Sequence, residues 1–195
     1  MHDEPRYFSE PMQLRNGAPA TVRAIRPDDR KRLQAAFRAL DAESVYLRYF
    51  SYKSELSEAD LDRLCNPDFR ERVVLVVTQA ADSGEIIVGS GGYVRHPAPD
   101  GTAAAEVAFA VEEDVHGQGI SSKLIAVLAS MARAEGIERF DAEVLGRNTA
   151  MLQVFNHSGL AMQQDQPDRD GVIRLSLSLA PAIVINSPSS PSSGL

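Results

Sequence analysis

The segment 104–125 constrains this chain more than any other. Its first half, Ala104-Ala105-Glu106-Val107-Ala108-Phe109-Ala110-Val111, is an apolar run with a single carboxylate. Its Val and Phe content predicts a strand ending near Glu112. The acidic patch Glu112-Glu113-Asp114 leads into His116-Gly117-Gln118-Gly119, after which Ile120, Leu124, Val127, Leu128 and Met131 recur at helical spacing. Strand, glycine loop and helix in that order suit an anion. Glycines let the main chain approach a ligand and turn its N–H groups towards it. The first turn of the helix adds free N–H groups and the positive end of a dipole. A Gly-x-Gly loop serves a plain tight turn equally well. Two nucleotide motifs do not fit, because no Gly-Lys-Ser/Thr ending is present and no third glycine is spaced for a dinucleotide fold.

Such a unit needs partners for both faces of its strand, and the flanking sequence offers them. Residues 20–25 read as a strand, followed by a helix opened by Pro27, with Asp28 and Asp29 in its first turn and Leu33, Ala36, Phe37 and Leu40 on its apolar face. A short helical segment from Ser44 gathers Tyr46, Tyr49 and Phe50, with Tyr52 just beyond, an aromatic group that serves packing as readily as binding. Ser57-Glu58-Ala59-Asp60 resembles a capping box ahead of Leu61 and Leu64. The runs 73–78 and 86–94 predict a hairpin around the turn 81–84, and Gly89, Gly91 and Gly92 in its second strand predict a bulge or the close approach of another main chain. After the central helix, stopped at Gly136, come a strand over 140–145 and a helix opened by Asn148 and stopped by Gly159. A closing strand pair is expected over 160–164 and 172–179. Residues 1–12, polar and carrying Pro5 and Pro11, predict a loose arm. The tail over 181–195 ends in Ser, Pro and Gly with a final Leu and predicts disorder. That leaves 13–180 as one domain.

Composition narrows the functions. The chain has 195 residues, enough for one domain with a sizeable core, and a formal net charge of −7, which argues against a general nucleic-acid partner. One cysteine, Cys65, excludes an internal disulfide and is expected as a buried or neutral thiol. The histidines at 2, 96, 116 and 157 have no metal-ligand spacing, so no metal is expected. No signal peptide is evident and no apolar run approaches the roughly 20 residues of a membrane helix. These features predict a soluble, cytoplasmic protein with no membrane partner, and leave its oligomeric state open.

The stretch His116-Gly117-Gln118-Gly119-Ile120-Ser121 resembles the acyl-CoA pyrophosphate motif of the GNAT N-acetyltransferase superfamily, Gln/Arg-x-x-Gly-x-Gly/Ala. His116 stands for Gln/Arg and Ser121 for the last Gly/Ala, so only Gly119 matches strictly. Asn148 at a helix start, with Gly159-Leu160 after that helix, is similar to the family's late motif, Leu replacing the usual Phe. Val22-Arg23-Ala24-Ile25-Arg26-Pro27-Asp28-Asp29 and Glu43-Ser44-Val45-Tyr46-Leu47-Arg48-Tyr49-Phe50-Ser51 resemble the GNAT domain of bacterial protein lysine acetyltransferases. In that group the domain is often fused to an acyl-CoA synthetase-like or cyclic-nucleotide-binding module, and the 195 residues are expected to hold neither. The resemblance covers about residues 13–180. It implies an α/β (α+β) fold: a single GNAT domain built on a mixed, mostly antiparallel sheet of six to seven strands, with helices on both faces.

The same resemblance implies direct transfer of an acetyl group from acetyl-CoA to a primary amine, with a lysine of an acyl-CoA synthetase or of another protein as acceptor. It makes Glu106 the catalytic base. Alternation along the strand places Glu106 on one face with Ala108 and Ala110, small neighbours that leave it room and predict partial burial; a surface carboxylate is the plainer reading. The strand edge, through main-chain groups of Ala110 and Val111, is expected to take the pantetheine arm, with an N–H there for the oxyanion. His116 and the amides of Gly117, Gln118, Gly119, Ile120 and Ser121 are expected at the pyrophosphate, and Asn148 at the CoA arm as well as, or instead of, a plain N-cap. Phe155 falls where many GNAT enzymes place a Tyr acid and reads as core. Two other functions remain open: acetylation of a small amine, and acyl-CoA binding without turnover. The second is suggested by His116, Ser121 and Phe155 and opposed by Glu106.

Overall fold

The computed structural model describes residues 4–49, 54–82 and 84–180. Among them eight strands form one sheet: β1 (Ser9–Gln13), β2 (Pro19–Ala24), β3 (Arg72–Ala81), β4 (Gly84–Pro97), β5 (Ala103–Val111), β6 (Arg139–Leu145), β7 (Ala161–Gln164) and β8 (Val172–Ser178). Their spatial order is β1-β2-β3-β4-β5-β6-β8-β7. All neighbours are antiparallel except β5 and β6. Among the described residues five α-helices accompany them: α1 (Arg30–Ala39), α2 (Ala42–Tyr49), α3 (Glu58–Cys65), α4 (Ile120–Ala134) and α5 (Thr149–Asn156). No helix among the described residues is long and apolar enough to cross a membrane.

The central strands are buried because their sequence is apolar on both faces. In β3, Val73 to Val77 are buried without interruption. In β5 the odd positions Ala105, Val107 and Phe109 are buried while Glu106 is exposed. Helix α4 covers the face towards which Phe109 points: a side chain at Gly91 would strike the Phe109 ring and approach Leu124, and one at Gly89 would crowd Ile120. These two glycines let the helix and the β5 ring settle close to the sheet. The pairing of β3 with β4 slips between Val77 and Thr78, a β-bulge that leaves Val88 unmatched, and a side chain at Gly92 would collide with the Val73 carbonyl. The glycine-rich strand thus contains both features its sequence predicts.

Helices α1 and α3 lie over the opposite face, where Leu33, Phe37, Leu61 and Cys65 are buried. Helix α3 starts with the expected capping box, Ser57 Oγ accepting from the Asp60 N–H and an Asp60 carboxylate oxygen accepting from the Ser57 N–H. Burial pushes the Cys65 thiol up to about 11, so it stays neutral.

Three expectations change. Residues 9–13, of which 9–12 were read as part of a loose arm, form the edge strand β1, paired with β2 from Ser9↔Arg23 to Gln13↔Pro19. With a polar half and Pro11 in its middle, the strand carries little apolar signal, and an edge position tolerates that proline. The sheet accordingly has eight strands where six to seven were expected. Asp29, read as favouring a helix dipole, is fully buried in a short turn (Pro27–Asp29) and takes both ends of the buried Arg23 guanidinium at 2.7 and 2.8 Å. The tail over 181–195, and Phe50 and Tyr52 with the Tyr49 side chain, lie outside the described residues. Tyr46 is placed, its ring 5.3 Å from the Arg147 guanidinium carbon.

Candidate active site

The site begins where two parallel strands part. Pairing between β5 and β6 covers only Ala104↔Arg139, Ala105↔Phe140 and Glu106↔Asp141. Beyond it β5 stays with β4 as far as Val111, and β6 stays with β8 as far as Leu145. The strands therefore diverge and leave an open edge. Which groups face it follows from the ladder: Glu112 N–H donates to Val88 C=O, while Ala103 C=O accepts from Glu138 N–H on the other side. Alternation then turns the main chain of Phe109 and Val111 to the open edge and that of Ala110 to Ser90 in β4. Ala110, expected to offer its main chain to a pantetheine arm, has it engaged in the sheet. Phe109, which sequence reasoning overlooked, has its main chain on the open edge instead. The odd-even rule was available in the sequence, but the side from which β6 would pair was not.

Val111 C=O is already used, lying 2.9 Å from His116 Nε2. His116 thereby fastens the loop to the end of β5 and leaves the Val111 N–H on the edge. The loop turns tightly: Gly117 and Gly119 have φ of 72° and 90°, a region where side chains are strained. Gly119 is the N-cap of α4 and no side chain caps that end. The amides of Ile120, Ser121 and Ser122 thus have no acceptor within the helix. Gln118 departs from expectation. Its N–H bonds to Val115 C=O at 3.3 Å, its carbonyl accepts from the Arg15 N–H and its side chain from the Asn16 N–H at 2.9 Å. It braces the loop from behind and does not line the cleft.

The cleft in front of these groups has a volume of about 570 Å³. His116, Gly117, Gly119, Ile120 and Ser121 line one end, and Asn148, Met151 and Phe155 of the α5 region line another side. Asn148 is an N-cap, its Oδ1 accepting from Met151 N–H at 3.0 Å, and it also borders the cleft. Phe155 is buried, its ring 5.9 Å from that of Phe109, as expected of a core residue. An open strand edge, unclaimed amides at a helix start and an apolar wall suit an extended acylated arm ending in phosphates. Arg15 also lines this cleft. It comes from the β1–β2 turn, whose sequence signal, Asn16-Gly17 between two short runs, is a common hairpin mark.

A second cleft, of about 180 Å³, lies on the α1–α3 side of the sheet. Leu33, Phe37, Leu56 and Leu64 wall it, and Glu106, Ala108, Ala110 and Glu112 of one strand face border it. Glu106 is exposed, not partly buried as its small neighbours suggested, and among the described residues its carboxylate has neither hydrogen bond nor ion pair. Six residues along, Glu112 is half-buried; burial first, then the nearby charges of Glu113 and Asp114, raise its pKa above the usual carboxylate value. The two clefts share Leu40, Ala108, Phe109 and Ala110. Glu106 borders only the smaller one, two residues from the shared wall.

Known proteins resemble this chain in sequence and fold. The model of the Acetyltransferase (GNAT) family matches residues 38–160. Acetyltransferase Pat of Mycolicibacterium smegmatis is 31% identical over 149 residues, covering 76% of this chain and 43% of Pat, so the match spans less than half of that relative's length. An acetyltransferase of Pseudomonas aeruginosa is 27% identical over 165 residues, covering 84% of this chain and 87% of its own. The crystal structure of the GNAT domain of S. lividans PAT superposes with a TM-score of 0.76 at 35% identity, covering 87% of this chain and 96% of that one. The parted strands, glycine loop and helix start described above belong to that shared domain, and the chain is a member of the GNAT acetyltransferase family.

Proposed function

We propose that this chain moves the acetyl group of acetyl-CoA directly to a protein lysine, with Glu106 as general base. The observation that carries this reading is the wall common to the two clefts, with an unpaired carboxylate in the smaller one close to the junction. The larger cleft serves the donor and the smaller one the amine.

The acceptor's proton is the main obstacle. A lysine of pKa about 10.4 is neutral in only about one molecule in 2,500 at pH 7, a penalty of about 4.6 kcal/mol. Glu106 takes that proton, directly or through one water. The apolar cleft walls hold the lysine stem, and exact placement lowers the barrier further. On the donor side the open edge of Phe109 and Val111 holds the pantetheine arm, and the amides at the start of α4 hold the pyrophosphate. An edge N–H stabilises the developing oxyanion. Bound acetyl-CoA supplies an activated thioester. Its thiol has a pKa near the roughly 8.5 of free cysteine, so it departs without an acid, and Phe155 is no obstacle.

The resemblance of residues 22–51 to bacterial protein lysine acetyltransferases supports a protein acceptor. The test is acetylation by the purified chain, with labelled acetyl-CoA, of a folded acyl-CoA synthetase and of a bacterial lysate, against free lysine and spermidine. Labelled lysines in proteins, formed faster than acetylated small amines, are expected. Far more efficient acetylation of a small amine contradicts the protein acceptor.

A further inference from the structure

The donor cleft draws its positive charge from outside the strand, loop and helix that define it. Arg15 stands in the turn between β1 and β2. Its Nη1 donates to Gly117 C=O at 2.8 Å and its main-chain N–H to Gln118 C=O at 3.3 Å. Its Nε lies 3.8 Å from where a Cβ on Gly119 would stand. The guanidinium therefore rests against the loop whose amides border the cleft.

Three features set this residue apart. The side chain is exposed, and among the described residues no carboxylate pairs with it. Lys123, the other cation near the start of α4, is held by Glu10 at 2.7 Å. Among the described residues lining the cleft, Arg15 is the only Arg or Lys, and the wall also carries Glu143. The chain has a net charge of −7. A ligand with several phosphate charges is repelled by that field and meets one permanent cation at the cleft.

We propose that Arg15 is a phosphate-binding residue of the donor site, delivered by the N-terminal hairpin. One N–H fixes Gly117 and with it the loop; the rest of the planar fork is matched to phosphate oxygens. β1 is then part of the binding machinery, because its pairing with β2 and the contacts of Arg15 and Asn16 with Gln118 hold the turn on the loop. The proposal rests on acetyl-CoA being the donor.

Calorimetric titration of acetyl-CoA into the full chain tests it, using Arg15→Gln and Arg15→Lys. Gln keeps a donor for the Gly117 carbonyl and loses the charge; Lys keeps the charge. Arg15→Gln is expected to weaken binding roughly tenfold or more, with Arg15→Lys within about threefold of wild type and both melting as wild type does. Repeating the titration with 3′-dephospho-acetyl-CoA locates the contact. An effect of Arg15→Gln that persists assigns Arg15 to the pyrophosphate, and one that vanishes assigns it to the 3′-phosphate. Equal binding by wild type and Arg15→Gln overturns the proposal and leaves the donor cleft standing. So does weak binding by Arg15→Lys with normal binding by Arg15→Gln, which would make the residue a brace only. A wild-type chain that binds no acetyl-CoA overturns the donor assignment itself.

Discussion

At the scale of single residues, position in the ladder matters as much as chemical type. Ala110 and Phe109 are neighbours, yet one spends its main chain on β4 and the other keeps it for the open edge. Asn148 combines a cap with a place at the donor cleft, and the two roles can be separated. Asn148→Ala should cost about 0.5–2 kcal/mol of stability through the lost cap, and Asn148→Ser should restore most of it. If Asn148 also touches the CoA arm, the Ser variant recovers its urea midpoint but not its acetyl-CoA affinity. Recovery of both would reduce Asn148 to a cap.

At the scale of elements, the buried Arg23 ties β2, the turn before α1 and the start of β4 together. Its guanidinium reaches Asp29 at 2.7 Å and Glu85 at 2.7 Å, and Glu85 also accepts from Thr78 Oγ1 at 2.8 Å. Burial alone would raise the pKa of Asp29, but hydrogen bonds from Arg23 and the Arg26 N–H outweigh it and hold that carboxyl below its ordinary value. Glu85 is lowered chiefly by its bond to Arg23. Arg23→Ala strips the buried Asp29 carboxylate of its main counter-charge, leaving it only Arg32 and the Arg26 N–H, and should cost about 3 kcal/mol at neutral pH. Groups with lowered folded pKa values contribute fully above their unfolded value, about 4, and lose that contribution as the pH falls through the folded one. The gap between wild type and Arg23→Ala in urea unfolding should therefore be full at pH 7 and narrow below about pH 4. A gap independent of pH would mean that the ion pair does not hold these elements.

The same elements show what the sequence could and could not tell. Strands β3, β5 and β6, helix α4 and the capping box of α3 were legible because apolar period, glycine placement and cap chemistry are local signals. Strand β1 was not, since a five-residue polar edge strand has almost no period to read. Arg23 and Asp29 sit in a stretch marked as distinctive, but a buried ion pair between residues six apart on two elements has no sequence signature. The strand singled out for donor and acceptor, β5, borders both clefts. Arg15 escaped notice because it reaches the loop from a residue more than a hundred positions away in the chain.

At the scale of the whole molecule, the sheet is a partition with one gap. Helix α4 and the parted strands shape the cleft proposed for the donor, while α1 and α3 shape the apolar one proposed for the amine, and the two meet over Ala108 to Ala110. The proposed transfer requires Glu106 to act across that junction. The most direct test is the maximal rate against pH, at saturating acetyl-CoA, for wild type and Glu106→Gln. Gln keeps the shape and an acceptor but cannot take the proton. A loss of about 100- to 10,000-fold near pH 7 is predicted, roughly 3–5 kcal/mol of transition-state stabilisation, with acetyl-CoA affinity unchanged. Partial recovery at higher pH is also predicted, because more of the amine then arrives neutral. Equal rates for the two proteins near pH 7 would contradict it, and would turn attention to Glu112 in the same cleft.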